Sequence, residues 1–262
     1  MDFQSAVAFV QEKGGPLNLA RLAYLLDKKP ADASITSQLL SLQRPDGGWE
    51  PFWATGYSSL DATCFRLAQA EAMGLTVAHP DIERAVQFLV QRQSPDGSWE
   101  ESLGELADAP PWVRPGSLQA RLYLSAICGF WVVVFSQNLT AAGSAAGYLH
   151  NHLTPEGRLP SFLHANWLAC GLWYRMNRME PATRILGYLG TRFQDMDSSN
   201  LAWLLNVLLV AGFDPHEPIL QPAADRLEAF QSADGYWPGA GGPDQDLPTT
   251  LEALRALRWL GR

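Results

Sequence analysis

The stretch Gln43-Arg-Pro-Asp-Gly47-Gly-Trp49 decides the fold of this chain, because its spacing recurs twice further along. The same intervals separate Gln, Gly and Trp in Gln93-Ser-Pro-Asp-Gly97-Ser-Trp99 and in Gln231-Ser-Ala-Asp-Gly235-Tyr-Trp237. Each copy follows a segment whose apolar residues are spaced as on one face of a helix. The glycine of the turn can take the positive φ that ends such a helix. This repetition predicts an architecture of stacked helical units.

A fourth, degenerate copy lies at residues 152–159, where Leu159 replaces the tryptophan. After each copy, a loop leads to a more apolar helix that opens with small polar residues suited to N-caps. No segment alternates apolar and polar residues for long enough to predict a strand. The pattern therefore predicts twelve helices in six pairs, over residues 2–13, 16–27, 32–44, 58–73, 80–93, 117–135, 139–152, 161–176, 180–193, 198–211, 217–231 and 248–260.

The two helices of each pair differ in their hydrophobic pattern. The first is amphipathic and carries charges, as in residues 225–228, whereas the second is apolar on nearly every side, as in residues 201–210. A helix that is apolar all round must be covered on both sides. We therefore predict an all-α fold, a single domain over residues 1–262 in which six outer helices surround six inner ones as a closed α6/α6 barrel.

Composition and charge narrow the function. The 262 residues are 47% hydrophobic, which is typical of a globular protein. The net charge of −8, without a cluster of Lys or Arg, argues against a nucleic-acid partner. The three cysteines are far apart in sequence, and the N-terminal segment lacks the pattern of a signal peptide, so we expect a cytoplasmic protein with reduced thiols. The apolar residues 122–135 predict a buried helix, with peripheral membrane contact as the alternative.

The repeats resemble the QW repeats of squalene and oxidosqualene cyclases and of the related class II terpene cyclases. Protein prenyltransferase β subunits share the α6/α6 barrel of these enzymes. The resemblance implies an enzyme that acts on an apolar isoprenoid or polyene by metal-independent, acid-initiated cyclisation or isomerisation. It also implies that the repeats tie the outer helices together, which gives structural roles to Gln43, Trp49, Gln93, Trp99, Gln231 and Trp237.

Class II cyclases start their reaction with an acid from an Asp-x-Asp-Asp motif at the mouth of an inner helix, and three candidates follow here. Asp197 lies in the nearest match, residues 195–198, and Asp246 in a second partial match, residues 244–247. Asp61 sits within the first turns of an apolar helix, where a carboxylate is costly unless it is paired or protonated. The alternative for Asp197 and Asp246 is a helix cap, and for Asp61 it is exposure at the barrel rim.

Aromatic residues crowd the predicted rim loops and inner helices, and the faces of their rings can stabilise a carbocation. We expect an apolar pocket at the barrel mouth to bind the substrate. Ordinary core packing accounts for many of these side chains equally well. The residues predicted to line the pocket are Trp53, Tyr57, Cys64, Trp112, His164, Trp167 and Trp203.

Neither a metal nor a cofactor is expected, because the sequence lacks an Asp-Asp-x-x-Asp cluster for magnesium and diphosphate and a Gly-rich phosphate loop. Two other functions stay open. The chain could be a non-catalytic barrel that binds a hydrophobic ligand or a protein. It could also resemble a prenyltransferase β subunit, with Asp61, Cys64 and His164 imitating the zinc ligands of that family, although the Asp-x-Cys spacing of the family is not met.

Overall fold

The computed structural model describes residues 1–102, 109–136 and 138–262. Across these ranges the regular structure is helical, without a named strand, and all twelve predicted helices are present. The predicted all-α class is confirmed. The helices are α1 (Phe3–Lys13), α2 (Pro16–Asp27), α3 (Ala33–Leu40), α4 (Leu60–Ala72), α5 (Pro80–Gln91), α6 (Leu118–Phe135), α7 (Leu139–His150), α8 (Leu163–Arg175), α9 (Met179–Gly190), α10 (Ser198–Ala211), α11 (Gln221–Ala229) and α12 (Asp246–Trp259).

Most helix boundaries differ from the prediction by three residues or fewer, and two differ by four for local reasons. α3 ends at Leu40, earlier than expected, and Leu42 just beyond it has a φ of 65°, which no α-helix contains. α11 starts at Gln221, later than expected, because the preceding residues Pro218–Leu220 form a 3-10 turn. Both differences lie at helix ends, where hydrophobic periodicity carries the least information.

The glutamine of each intact repeat joins two outer helices. Nε2 of Gln43 donates to the carbonyl of Gly47 at 2.9 Å and to the carbonyl of Asp81, in the first turn of α5, at 2.8 Å. One side-chain amide group therefore bonds a carbonyl in the turn of its own repeat and a carbonyl at the start of the next outer helix. The equivalent sets are Gln93 with Gly97 and Ala141, and Gln231 with Gly235 and Asp2.

The tryptophan of each intact repeat is buried and joins an outer helix to the next inner one. The indole Nε1 of Trp99 donates to the carbonyl of Leu89 in α5 at 2.7 Å, and its backbone N–H donates to Oγ of Ser125 in α6 at 3.0 Å. The same backbone bond links Trp49 to Thr63, Leu159 of the degenerate copy to Asn166, and Trp237 to Thr250. These contacts give the repeats the structural role that the resemblance implied.

The glycine of the repeat is required by a close approach. Gly97 has a φ of 90°, and a Cβ atom there would lie 2.4 Å from the backbone oxygen of Ser144 in α7. Gly47 meets the backbone of Arg84 in the same way, at 2.5 Å. A side chain at either position would separate two outer helices, which explains why the repeat keeps glycine.

The described residues form two compact units. The first comprises residues 1–38 and 189–262; in it, inner helix α12 packs on α10 and α2, and outer helices α1 and α11 pack on α12. The second comprises residues 39–188; in it, inner helix α6 packs between α4 and α8 and carries the outer helices α5 and α7. The candidate site described next lies in the second unit.

Helix α6 is buried along nearly its whole length, as predicted for residues 122–135. Among the described helices it alone is long and apolar enough, by length and composition, to cross a membrane, and 78% of it is buried inside the protein. Small residues allow this packing. Gly129 faces Leu172 of α8 and Ala145 of α7 so closely that a Cβ atom would lie 2.9 and 3.0 Å from their side chains.

Candidate active site

Asp61 lies in the first turn of α4, immediately after the N-cap residue Ser59 and Leu60. Its carboxyl group has two hydrogen-bond donors from other segments. Oη of Tyr123 in α6 lies 2.7 Å from Oδ1, and Nε1 of Trp112 lies 3.2 Å from Oδ2. Trp112 belongs to a 3-10 turn, Pro111–Val113, that packs on α6. The sequence placed Asp61 and Trp112 in the site, and the structure brings the two together.

Burial raises the pKa of Asp61 above its ordinary value of 3.8, while the bonds from Tyr123 and Trp112 act in the opposite direction. The first effect favours the neutral acid, because a carboxylate loses hydration in the interior. The second stabilises the carboxylate that remains once the proton has left. A half-buried acid with two hydrogen-bond donors has the arrangement needed to give a proton to an apolar substrate.

His164, at the start of α8, extends this cluster through aromatic contacts. Its ring meets Tyr123 edge-on at 4.8 Å and stacks on Phe162 at 5.5 Å with an interplanar angle of 3°. Trp167, one turn further along α8, is fully buried and lies 6.0 Å from the imidazole. Burial lowers the pKa of His164 from 6.5 to about 4, so the ring is neutral at pH 7. The cluster thus presents uncharged aromatic surfaces beside the acid.

A second buried carboxylate holds the start of α4. Oε1 of Glu101 accepts hydrogen bonds from Oγ of Ser59 at 2.6 Å and from the backbone N–H of Leu60 at 2.9 Å. Oε2 accepts from Oη of Tyr57 at 2.5 Å. Glu101 is 2% exposed and follows the tryptophan of the second repeat by two residues. The loop after that repeat therefore reaches the helix that carries Asp61.

Three other residues predicted for the pocket lie in the same unit but have different surroundings. The hydroxyl of Tyr57 is used by Glu101, and its ring lies 5.9 Å from that of Trp53, which is half-buried. Cys64 is fully buried, and its Sγ lies 3.7 Å from Sγ of Cys128 in α6. Cys64 therefore packs between two inner helices, although it stands close to Asp61 in sequence.

Asp197 and Asp246, the other two candidate acids, belong to the first unit. Asp197 is the N-cap of α10, and its Oδ1 and Oδ2 accept hydrogen bonds from the backbone and side-chain nitrogens of Asn200 at 2.8 and 3.0 Å. Oδ1 of Asp246 accepts from the backbone N–H of Gly239 at 2.7 Å. Asp197 thus has the helix-cap bond of the alternative interpretation, whereas Asp246 is the first residue of α12 and bonds a loop instead of capping the helix. Trp203 is half-buried in α10 of the same unit.

The zinc set of the prenyltransferase alternative is not assembled. Asp61 is bonded to Tyr123 and Trp112, and Cys64 faces Cys128. In the part of the chain that the structure describes, no three His, Cys, Asp or Glu side chains lie close enough together to hold a metal ion.

Sequence reasoning did not assign roles to two residues of this site. Tyr123 stood out only as one aromatic residue among many, since its partner lies 62 residues away. Glu101 gave no signal, because a Glu after the repeat tryptophan reads as an ordinary loop residue. A comparison between repeats could have found it, since Trp49 is followed by one Glu and Trp99 by two.

Comparison with known proteins agrees with this architecture. Residues 17–119 match the squalene-hopene cyclase C-terminal domain family. A crystal structure of a protein from Actinoplanes superposes with a TM-score of 0.68 at 18% identity, covering 99% of this chain and 98% of that one. The type II terpene cyclase MstE from Scytonema, solved in its apo form, gives a TM-score of 0.63 at 15% identity over 97% of this chain and 96% of its own. The chain has the terpene cyclase fold.

A further terpene cyclase structure extends the likeness. A variant of MstE in complex with geranylgeranyl dihydroxybenzoate, its substrate, gives a TM-score of 0.61 at 13% identity over 98% of this chain and 96% of its own. These likenesses confirm the predicted α/α barrel and the predicted resemblance to class II terpene cyclases at the level of the fold. Both MstE structures are covered over 96% of their own length.

Proposed function

We propose that this protein is a class II terpene cyclase-like enzyme, with Asp61 as the proton donor to an apolar isoprenoid or polyene. The observation that carries the proposal is the half-buried, doubly hydrogen-bonded carboxyl group of Asp61 at the opening of an inner helix. Asp197 and Asp246 are each engaged in bonds that stabilise a helix start or a loop. Asp61 is therefore the acid to test first.

In the proposed reaction, the neutral Asp61 carboxyl transfers its proton to one carbon of a terminal alkene. The π electrons form the new C–H bond, and the other carbon becomes a carbocation. The double bonds of the substrate then attack in sequence, and loss of a proton from carbon ends the reaction. Tyr123 and Trp112 hydrogen-bond the carboxylate left behind, and the uncharged aromatic surfaces beside it disfavour capture of the cation by water.

The substrate class comes from the structural neighbour. MstE is described with geranylgeranyl dihydroxybenzoate as its substrate and merosterolic acid A as its product. By analogy, we propose a linear polyprenyl chain as the reacting part of the substrate here. We also propose a cytoplasmic location, as expected from the reduced thiols. A non-catalytic barrel that binds the same kind of ligand is the alternative that the experiment must exclude.

The test is the incubation of purified wild-type protein and Asp61→Asn with linear polyprenyl compounds, among them geranylgeranyl dihydroxybenzoate, followed by mass spectrometry. We expect cyclised or isomerised product from the wild type only. In D2O, that product should gain one deuterium at a carbon that was part of an alkene. Asp197→Asn and Asp246→Asn are the matched controls and should retain activity if folded.

The outcomes separate the alternatives. Turnover by a folded Asp61→Asn protein would show that another group is the acid. A protein that retains a polyprenyl ligand in native mass spectrometry, but converts none of the compounds and incorporates no deuterium, would be a binding protein.

A further inference from the structure

We propose that Glu101 is the positioning residue of the acid: as a buried anion it fixes the first turn of α4 and keeps the proton on Asp61. This inference rests on the proposed role of Asp61 as proton donor. The loop after the second repeat would then contribute to the proposed reaction through Glu101, as well as to the fold.

The contacts of Glu101 favour its ionised form. Its oxygens accept from the hydroxyls of Ser59 and Tyr57 and from the backbone N–H of Leu60, and Oε1 lies 3.4 Å from the backbone nitrogen of Asp61. Two of these donors are backbone groups in the first turn of a helix, where the helix dipole stabilises negative charge. A carboxylate is an acceptor only, so four donors directed at one carboxyl group match the anion.

Asp61 has half as many donors, and it shares the same helix start. Burial raises the pKa of both Glu101 and Asp61 above their ordinary values. Because Oε1 of Glu101 lies 3.4 Å from the backbone nitrogen of Asp61, a negative charge on Glu101 opposes ionisation of the Asp61 carboxyl group. The group with more hydrogen-bond donors takes the charge, which is Glu101, and the proton remains on Asp61.

Among the described residues that contact Asp61 or its partners, the other titratable groups named below are uncharged at neutral pH. Tyr123 and Cys128 approach from α6 and Cys64 from α4, and burial raises the pKa of all three, so they remain neutral. His164 of α8 contacts Tyr123 and is neutral because its pKa is about 4. The remaining direct partner, Trp112, does not titrate.

A residue that only capped the helix would affect stability without affecting the proton of Asp61. We therefore choose Glu101→Gln, which keeps an acceptor for Ser59 and Leu60 but removes the charge. The pKa of Asp61 is measured by carbon NMR on protein with labelled aspartate, and Asp61→Asn identifies its signal. We expect the pKa of Asp61 to fall by about one to two units, the usual effect of removing a nearby like charge. The pH at which turnover is half lost on the basic side should fall with it.

The matched control is Glu100→Gln, in the same loop. Glu100 bonds Arg121 and the backbone N–H of Gly116, away from α4, so its removal should leave the pKa of Asp61 unchanged. Tyr57→Phe removes one donor from Glu101 and leaves its other bonds in place, which makes it the second variant if Glu101→Gln fails to fold. It should lower the pKa of Asp61 in the same direction by a smaller amount.

An unchanged pKa of Asp61 in a folded Glu101→Gln protein, or in Tyr57→Phe where the first does not fold, would overturn the inference. The NMR titration needs no turnover. A shifted pKa in a protein whose Asp61→Asn variant is still active would therefore contradict the proposed function alone, whereas an unshifted pKa beside an inactive Asp61→Asn would contradict only the role of Glu101.

Discussion

Replacement of His164 by Phe tests whether the aromatic cluster beside Asp61 shields the imidazole of His164 from water. The substitution keeps an aromatic ring against Tyr123 and Phe162 but removes the group that titrates. Any loss of packing in the variant is the same at every pH. The difference between wild type and variant therefore isolates the free energy of protonating His164.

The magnitude follows from the shift of the His164 pKa, from 6.5 to about 4. Below pH 6.5 the unfolded chain takes up a proton at this residue that the folded protein refuses, so the folded state loses stability as the pH falls towards 4. Each unit of difference is worth about 1.4 kcal/mol. Between pH 7 and pH 5, the wild type should lose about 2 kcal/mol relative to His164→Phe, since the titration is only partly complete over that interval.

The assay is urea unfolding of both proteins at pH 7 and pH 5, followed by tryptophan fluorescence and by circular dichroism. His150→Gln is the control for a histidine at the surface, because His150 is exposed. Its stability relative to wild type should be the same at both pH values. A wild type that keeps the same stability relative to His164→Phe at both pH values would refute the picture of a neutral imidazole shielded from water.

Three further predictions follow from contacts already described. Because burial raises the pKa of Asp61, the folded protein keeps this proton to a higher pH than the unfolded chain does. In unfolding titrations, the stability of Asp61→Asn relative to wild type should therefore rise with pH, by at most about 1.4 kcal/mol per pH unit. In Gly97→Ala the new Cβ atom would lie 2.4 Å from a backbone oxygen, whereas in Gly56→Ala, also at positive φ, it would meet nothing within 4 Å. Calorimetry should show a loss of stability of about 1–2 kcal/mol for Gly56→Ala and a clearly greater loss for Gly97→Ala. Thr250→Val leaves the buried N–H of Trp237 without its acceptor and should cost about 1–3 kcal/mol in urea unfolding, unless water replaces the hydroxyl.

The helices and their pairing could be predicted because their determinants are local. A glycine that must take positive φ, an apolar face with helical spacing and a polar N-cap all lie within one turn of the boundary they fix. The prediction of helix ends was least accurate at α3, because Leu42 has the left-handed backbone conformation, which is uncommon for leucine. The repeat glutamines and tryptophans were placed correctly because the same bonds recur in each copy.

The site was harder to predict because its contacts are distant in sequence. Asp61 could be singled out as a carboxylate in an apolar helix, but nothing local shows that Tyr123 is its partner. Hydrophobic pattern likewise cannot separate Cys64, which packs against Cys128, from a residue that lines a pocket. Asp197 illustrates the converse difficulty, since a helix cap and an acid motif draw on the same residue type at the same position. The catalytic assignments stay predictions.

The bonds between Gln231 and Asp2 also bear on the order in which this chain can fold. They join residues 229 positions apart, and α1 packs on α12 in the same unit. On a ribosome, α1 and α2 emerge well before the helices that cover them. The unit formed by residues 39–188 is continuous and can assemble during synthesis, whereas the other must wait until residues 189–262 have been synthesised. Asp61, Tyr123 and Trp112 thus belong to the unit that can fold without waiting for a distant segment of the chain.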